Sequence, residues 1–138
     1  MSGMQVALVS AIGLVLIYDA YHVVAGNGAV AWRLEQHGIA SWYGLEEQGR
    51  PTANGERFDR HAFTAASRHL PMDSVVRVTN QRNGRSVEVR INDRGPWVHG
   101  RILDLSEAAA DTLDMKKSGT APVTIEVVAP PSAQTAAP

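Results

Sequence analysis

The chain has 138 residues, 13 Lys and Arg against 14 Asp and Glu, a net charge of −1, and no cysteine. That length carries one domain and not two. The charge balance argues against nucleic acid as the main partner, since phosphate binding needs a basic surplus, and without cysteine no disulfide, thiolate nucleophile or thiolate metal site can form. A neutral polymer such as a glycan stays open as a partner. Twelve Gly and seven Pro, with charges spread rather than blocked, point to a loop-rich β protein.

No charged side chain precedes Asp19, and Val6 to Ile17 is nearly continuous apolar sequence. The run predicts an N-terminal apolar helix. It has the length of a signal-peptide core and falls short of a bilayer span of roughly 20 residues unless extended to Ala25. Ala29-Val30-Ala31 is an Ala-x-Ala pattern that a signal peptidase could cut, while no Lys or Arg precedes the run. Residues 1–33 therefore read as a signal peptide or a membrane anchor, with residues 4–25 as the anchoring stretch. A buried helix of the domain is the blander reading. Membrane contact is expected only through this segment.

After Arg33 the texture changes. His37 to Tyr43 reads as a short strand with an aromatic end, and Gly44 to Phe58 as a loop with a turn at Asn54-Gly55. Phe63 to Ala66 predicts another short strand. Val75–Asn80 and Arg85–Asn92 both alternate apolar with polar residues, and Asn83-Gly84 between them makes a hairpin. Asp93 shares the parity of Val87, Val89 and Ile91. If the strand runs on, Asp93 sits at the rim of the core. A carboxyl group so placed loses hydration, which favours the protonated acid.

Arg101 to Leu105 predicts a strand, Ser106 an N-cap, and Glu107 to Leu113 a short helix with a small Ala face. Pro122 to Val128 alternates again and predicts the last strand. Residues 130–138, rich in Pro, Ala, Ser, Gln and Thr, have nothing to bury and read as a disordered tail. The domain then covers residues 34–129. It is mainly β, with about six short strands and one or two short helices, a pattern that suggests a small closed barrel.

The stretch Arg90 to Ser106 concentrates the chemistry, with Asp93 and Asp104 flanking a Gly-Pro turn, Trp97 and His99. On residue types alone, Asn92-Asp93-Arg94-Gly95-Pro96 reads more readily as a tight turn, with Asp93 bonding backbone amides, than as an acid/base site. Asp104 is equally open to a structural role tied to Arg94 or Arg101. Trp42, Tyr43 and Trp97 are candidates for stacking on sugar faces, with core packing the alternative, stronger for Trp42. Thr52, Asn54 and Glu56 lie on a loop able to line a groove. Arg94 could clamp a carboxylate or acetamido group. The His residues show no paired metal-ligand spacing, so no metal and no cofactor is expected.

Taken together, Gly38-Ile39-Ala40-Ser41-Trp42-Tyr43-Gly44, Thr52-Ala53-Asn54-Gly55-Glu56, Thr64-Ala65-Ala66, Leu70-Pro71, Val76 to Asn80, Asn83-Gly84-Arg85, Asn92 to Pro96 and Arg101 to Ser106 resemble, in order, the rare lipoprotein A (RlpA-like) family. The resemblance covers essentially the whole predicted domain. It implies a six-stranded double-psi β-barrel, a place in the bacterial cell envelope (periplasm or cell surface), and lytic transglycosylase action on peptidoglycan glycan strands stripped of stem peptides. The barrel is also similar to that of expansins and family-45 glucanases. By the same resemblance Asp93 matches the catalytic acid, and Asp104 matches an Asp important in expansin-like relatives. Ser67 stands where active members carry a catalytic His, with His69 two residues on. The alternative function is therefore a catalytically impaired glycan-binding or wall-loosening barrel. A monomer is expected, with envelope proteins as further partners.

Overall fold

The computed structural model describes residues 4–9, 15–24 and 30–129, with side-chain surroundings from residue 35 to 129. The chain divides into two compact units, Met1–Gln36 and His37–Pro138.

In the first unit β1 (Met4–Val9) pairs antiparallel with β2 (Val15–Val24), and β2 pairs antiparallel with the start of β3 (Val30–Tyr43). Where the sequence predicts an apolar helix, these residues are extended. Val6, Val9, Val15, Ile17, Val23 and Val24 are β-branched, and such side chains lose rotamer freedom in a helix and favour a pleated backbone. No helix among the described residues is long and apolar enough to cross a membrane. The rest of the expected helix, residues 10–14 and 25, and the expected tail, residues 130–138, lie outside the described residues.

The second unit is a closed barrel. It uses the second half of β3, then β4 (Thr64–Ala66), β5 (Val75–Asn80), β6 (Ser86–Asp93), β7 (Arg101–Ser106) and β8 (Thr120–Ala129). The order around it is β3-β7-β4-β6-β5-β8, and β8 returns to β3. Two pairings are parallel, β3 with β7 and β4 with β6; the pairings of β4 with β7, β5 with β6 and β5 with β8 are antiparallel. This is the expected mainly β, six-stranded barrel. Closure removes the sheet edges that a small β domain would otherwise expose.

Alternation explains the strands. Val76 and Val78 on β5, Val89 and Ile91 on β6, and Val123 and Ile125 on β8 are buried, together with Leu103 and Leu105 of β7. Each such side chain contributes about 1.5–3 kcal/mol when fully buried. The β5–β6 hairpin turns at Gly84, whose φ of +76° is the left-handed conformation that the Asn-Gly pair predicts. After β7, Ser106 caps α1 (Glu107–Thr112): its Oγ accepts from the Ala109 amide and donates to the Ala62 carbonyl. Ala109, Ala110, Leu113 and Met115 then close one end of the core.

Candidate active site

The barrel brings the two aspartates together through a residue with almost no side chain. Ala66, the last residue of β4, pairs with Asp93 of β6 on one side and with Asp104 of β7 on the other. Neighbouring strands lie about 4.8 Å apart, so the two Asp backbones are about 10 Å apart. The small Ala side chain leaves the space between them open. A cleft of about 210 Å³ results, lined by Tyr43, Glu47, Ala66, Asp93, Arg94 and Asp104.

Asp93 reaches this cleft through a bulge. The pairing runs Ala65 with Ile91 and then Ala66 with Asp93, so β6 carries one extra residue. Alternation breaks there: Ile91 and Asn92 are both buried, and Asp93 emerges half-buried at the rim. Its Oδ1 accepts from the backbone amides of Ala53, at 2.9 Å, and Arg94, at 2.8 Å. Its Oδ2 takes no hydrogen bond from the described residues. One oxygen is thus fixed and the other is open.

Asp104 is held differently. It lies directly across from Ser41 in the parallel β3–β7 pair, and its Oδ1 accepts from the Ser41 hydroxyl and from Arg101 Nη2. Of the two cations offered by the sequence as partners for Asp104, Arg101 is the one that pairs with it.

The loop residues Thr52, Asn54 and Glu56 are not among those lining the cleft; they fasten the loop that does one job there. Thr52 Oγ1 lies 2.7 Å from Asn54 Oδ1 and 2.6 Å from the Glu56 carbonyl, and the Asn54 amide donates to the Asn92 carbonyl. Glu56 Oε1 accepts from Arg90 Nη2 at 2.7 Å and Asn92 Nδ2 at 2.8 Å. Burial pushes the Glu56 carboxyl up, but the hydrogen bonds from Asn92 and Arg90 outweigh it and hold the group below its ordinary value. The fastened loop delivers the Ala53 amide to Asp93.

Arg94 lines the cleft, and its Nη1 donates to the carbonyls of Ser67, at 3.0 Å, and Leu70, at 2.8 Å. Ser67 is 3% exposed, and its Oγ accepts from the amides of His69 and Leu70, closing the turn after β4. Neither Ser67 nor His69 lines the cleft. His69 is half-buried; burial, then the charges of Arg68 and Arg94, hold its imidazole below the ordinary value.

Of the aromatics, Tyr43 packs its ring on Phe58 with centroids 4.5 Å apart, and burial, then Asp93, Asp104 and Glu47, push its phenol well above the ordinary range. Trp42 is half-buried, with the Lys116 ammonium 5.7 Å from its ring centroid. It lines a neighbouring cleft of about 460 Å³ with Tyr43, Gly44, Leu45, Glu46 and Glu47. Tyr43 and Glu47 border both clefts, so the two adjoin. Trp97 is 77% exposed and Val98 half exposed, just beyond Arg94 in the chain.

Several participants carry little signal in the sequence. Glu47 sits on a single 3-10 turn, Leu45–Glu47, inside what reads as a loop. Ser41 shares strand parity with Tyr43, a signal that can give its face but not its partner. Ala53 acts through its backbone alone.

The family model described as lytic transglycolase matches residues 35–125. An endolytic peptidoglycan transglycosylase RlpA of Campylobacter jejuni is 55% identical over 91 residues, which is 66% of this chain and 33% of that protein. Its namesake from Neisseria meningitidis is 56% identical over 95 residues, 69% of this chain and 40% of that protein. This chain thus spans about a third to two fifths of the length of these curated relatives. Among solved structures, the expansin of Clavibacter michiganensis superposes with a TM-score of 0.56 at 24% identity in its apo form, over 71% of this chain and 52% of that one. A mutant of that expansin, in complex with cellohexaose, gives 0.57 at 20% identity over the same shares. At that identity the likeness shows the fold, a double-psi β-barrel.

Proposed function

The chain belongs to the lytic transglycolase family, and from that premise we propose that it cleaves the glycan strands of peptidoglycan in the bacterial cell envelope, with Asp93 as general acid and base. The observation that carries this reading is the asymmetric hold on Asp93: two backbone amides on Oδ1, and Oδ2 open to a cleft. Cleaving a glycosidic bond requires an acid for the leaving oxygen. Asp93 gives its proton to that oxygen as the C1–O bond breaks. The sugar's own C6 hydroxyl then bonds to C1 and returns its proton to Asp93, leaving a 1,6-anhydro end. No water is consumed, and one carboxyl group serves in both directions.

Asp104 supports this chemistry from across Ala66 as a charge paired with the Arg101 guanidinium, a cationic partner that Asp93 does not have among the described residues. The guanidinium of Arg94 at the cleft wall suits the lactyl or acetamido groups of the substrate. Trp97, exposed beyond the Gly95-Pro96 turn, and Trp42, in the adjoining cleft, offer apolar faces for sugar rings. An expansin that shares this fold over 52% of its chain is in complex with cellohexaose, which supports a glycan as the substrate class. In this reading residues 1–33 export or anchor the domain, and the barrel acts as a monomer on glycan, with other envelope proteins as further partners.

A second reading, a glycan-binding or wall-loosening barrel without turnover, is favoured by one observation: Ser67 is buried and its Oγ is occupied in a turn, so it brings no acid or base to the cleft. Purified domain incubated with peptide-stripped glycan and analysed by mass for 1,6-anhydro ends separates the two. Release by the wild type, abolished in Asp93→Asn, is the expected result. Glycan binding with no release at high protein concentration would establish the second reading instead.

A further inference from the structure

Tyr43 has a polar end that nothing in the cleft accounts for. Ser41 and Tyr43 are two residues apart on β3 and share a face. Ser41 spends its hydroxyl on Asp104. The Tyr43 hydroxyl oxygen is buried and has no hydrogen-bond partner among the described residues. Natural folds seldom leave such a group unmatched unless something else uses it. Its ring, set against Phe58, is fixed at the border of both clefts. Three carboxylates face it, and with burial they keep the phenol protonated, so its hydrogen is always available to donate.

Two of those three carboxylates already have cationic donors. Asp104 has Arg101, and Glu47 has Arg50 at 3.0 Å. The third, Asp93, has no cationic donor among the described residues, and its Oδ2 takes no hydrogen bond from them. We propose that Tyr43 is a positioning residue for Asp93, donating its hydroxyl hydrogen to Oδ2 once that oxygen has given up its proton. The proposal rests on the acid/base reading of Asp93. When the proton leaves Oδ2 for the glycosidic oxygen, negative charge appears on Oδ2 and the Tyr43 hydroxyl, which makes no hydrogen bond with the described residues before then, closes onto it. The Ala53 and Arg94 amides hold Oδ1 meanwhile. When O6 bonds to C1, its proton returns to Oδ2, and Tyr43 keeps its own proton throughout. A donor that meets charge only as it develops accelerates the step without tightening substrate binding.

Tyr43→Phe removes only the oxygen and keeps the ring on Phe58. The expected result is a kcat lower by roughly 10- to 100-fold, the scale of one preorganised donor, with KM unchanged and a thermal midpoint equal to or above the wild type. An unchanged kcat overturns the proposal. So does a raised KM at constant kcat, or a loss of activity that follows a fallen midpoint. A second measurement is independent of turnover. With tyrosine labelled at Cζ, the Tyr43 carbon signal should move as pH rises through the carboxylate range, about 3 to 7. Most of that movement should be lost in Asp93→Asn and kept in Asp104→Asn, with only the smaller response to the other carboxylates left in the former. A signal that ignores Asp93 overturns the pairing. A wild-type domain that releases no anhydro ends defeats the acid/base reading by itself, and the carbon signal still decides whether Tyr43 and Asp93 are coupled.

Discussion

Asp93 and Asp104 flank the same alanine, and the barrel treats them oppositely. On the β6 side a bulge lifts Asp93 to the rim, backbone amides pin one oxygen, and the other is left open. On the β7 side a regular strand keeps Asp104 opposite Ser41, and a cation and a hydroxyl share its Oδ1. Each keeps one oxygen free of hydrogen bonds from the described residues, so the difference lies on the other oxygen, where neutral amides orient Asp93 and a cation pairs with Asp104. Position in the strand, more than residue type, assigns the two roles.

The sharpest way to break this contrast is Asp93→Asn. The amide keeps the shape and an oxygen for the two backbone donors but has no proton to exchange. General acid–base catalysis is worth about 10²–10⁴-fold, and glycan cleavage should fall by that much or more. Release of anhydro ends against time measures it. The thermal midpoint should stay within about 2 °C, because a surface-rim substitution with its hydrogen bonds preserved changes stability little. A variant that both cleaves and melts like the wild type would remove Asp93 from the chemistry.

Asp104→Asn should do the reverse in kind. It leaves the half-buried Arg101 guanidinium without its ionic partner. A stability loss of about 1–3 kcal/mol is expected for a group deprived of its hydrogen-bonded partner, read by urea denaturation. Turnover should fall roughly tenfold, well short of the Asp93 effect, on the scale of a misplaced supporting charge. If Asp104→Asn silenced cleavage at unchanged stability, the two carboxylates would be equals and the contrast would be wrong.

How far this contrast was legible in the sequence depends on the range of each interaction. The β5–β6 hairpin and the Ser106 cap follow from alternation, an Asn-Gly turn and one hydroxyl, all local signals. The bulge at Asn92 does not, because counting parity assumes one residue per partner. Parity placed Asp93 at the core's rim, and the bulge delivers it there by another route. The Ser41–Asp104 bond joins residues 63 positions apart, and only the parallel β3–β7 register reveals it. Thr52, Asn54 and Glu56 look alike as groove lining or as a loop fastening itself, since either use wants the same polar side chains. At the N-terminus, an unbroken apolar run has no periodicity to separate helix from strand.

A smaller effect tests the outer part of the site. Trp97 is exposed and makes no packing contribution to the barrel comparable to a core residue. Trp97→Ala should leave stability unchanged and weaken binding of glycan oligosaccharides roughly 3- to 10-fold, the scale of one aromatic contact. Isothermal titration with the Asp93→Asn protein as host would read this without turnover. Unchanged affinity would mean that the sugar path runs through the Trp42 cleft instead.

The smallest effect reaches Asp93 through its support. Glu56 has a carboxyl held below its ordinary value of 4.5, so its folded form keeps the charge longer than the unfolded chain does. The sign follows. Above 4.5 both states are ionised and the full contribution of Glu56 is present. As pH falls through and below 4.5, the unfolded chain takes up the proton first, and that contribution is lost until the folded carboxyl protonates too. Glu56→Gln should therefore flatten the fall of stability on acidification while changing the neutral-pH midpoint little, because the side chain is 40% exposed and its pair with Arg90 is screened. Thermal midpoints measured from pH 7 down to about 3 would show it. A Gln variant whose acid slope matches the wild type would mean that Asn92 and Arg90 hold the loop without help from the charge. The Ala53 amide would then reach Asp93 by loop geometry alone.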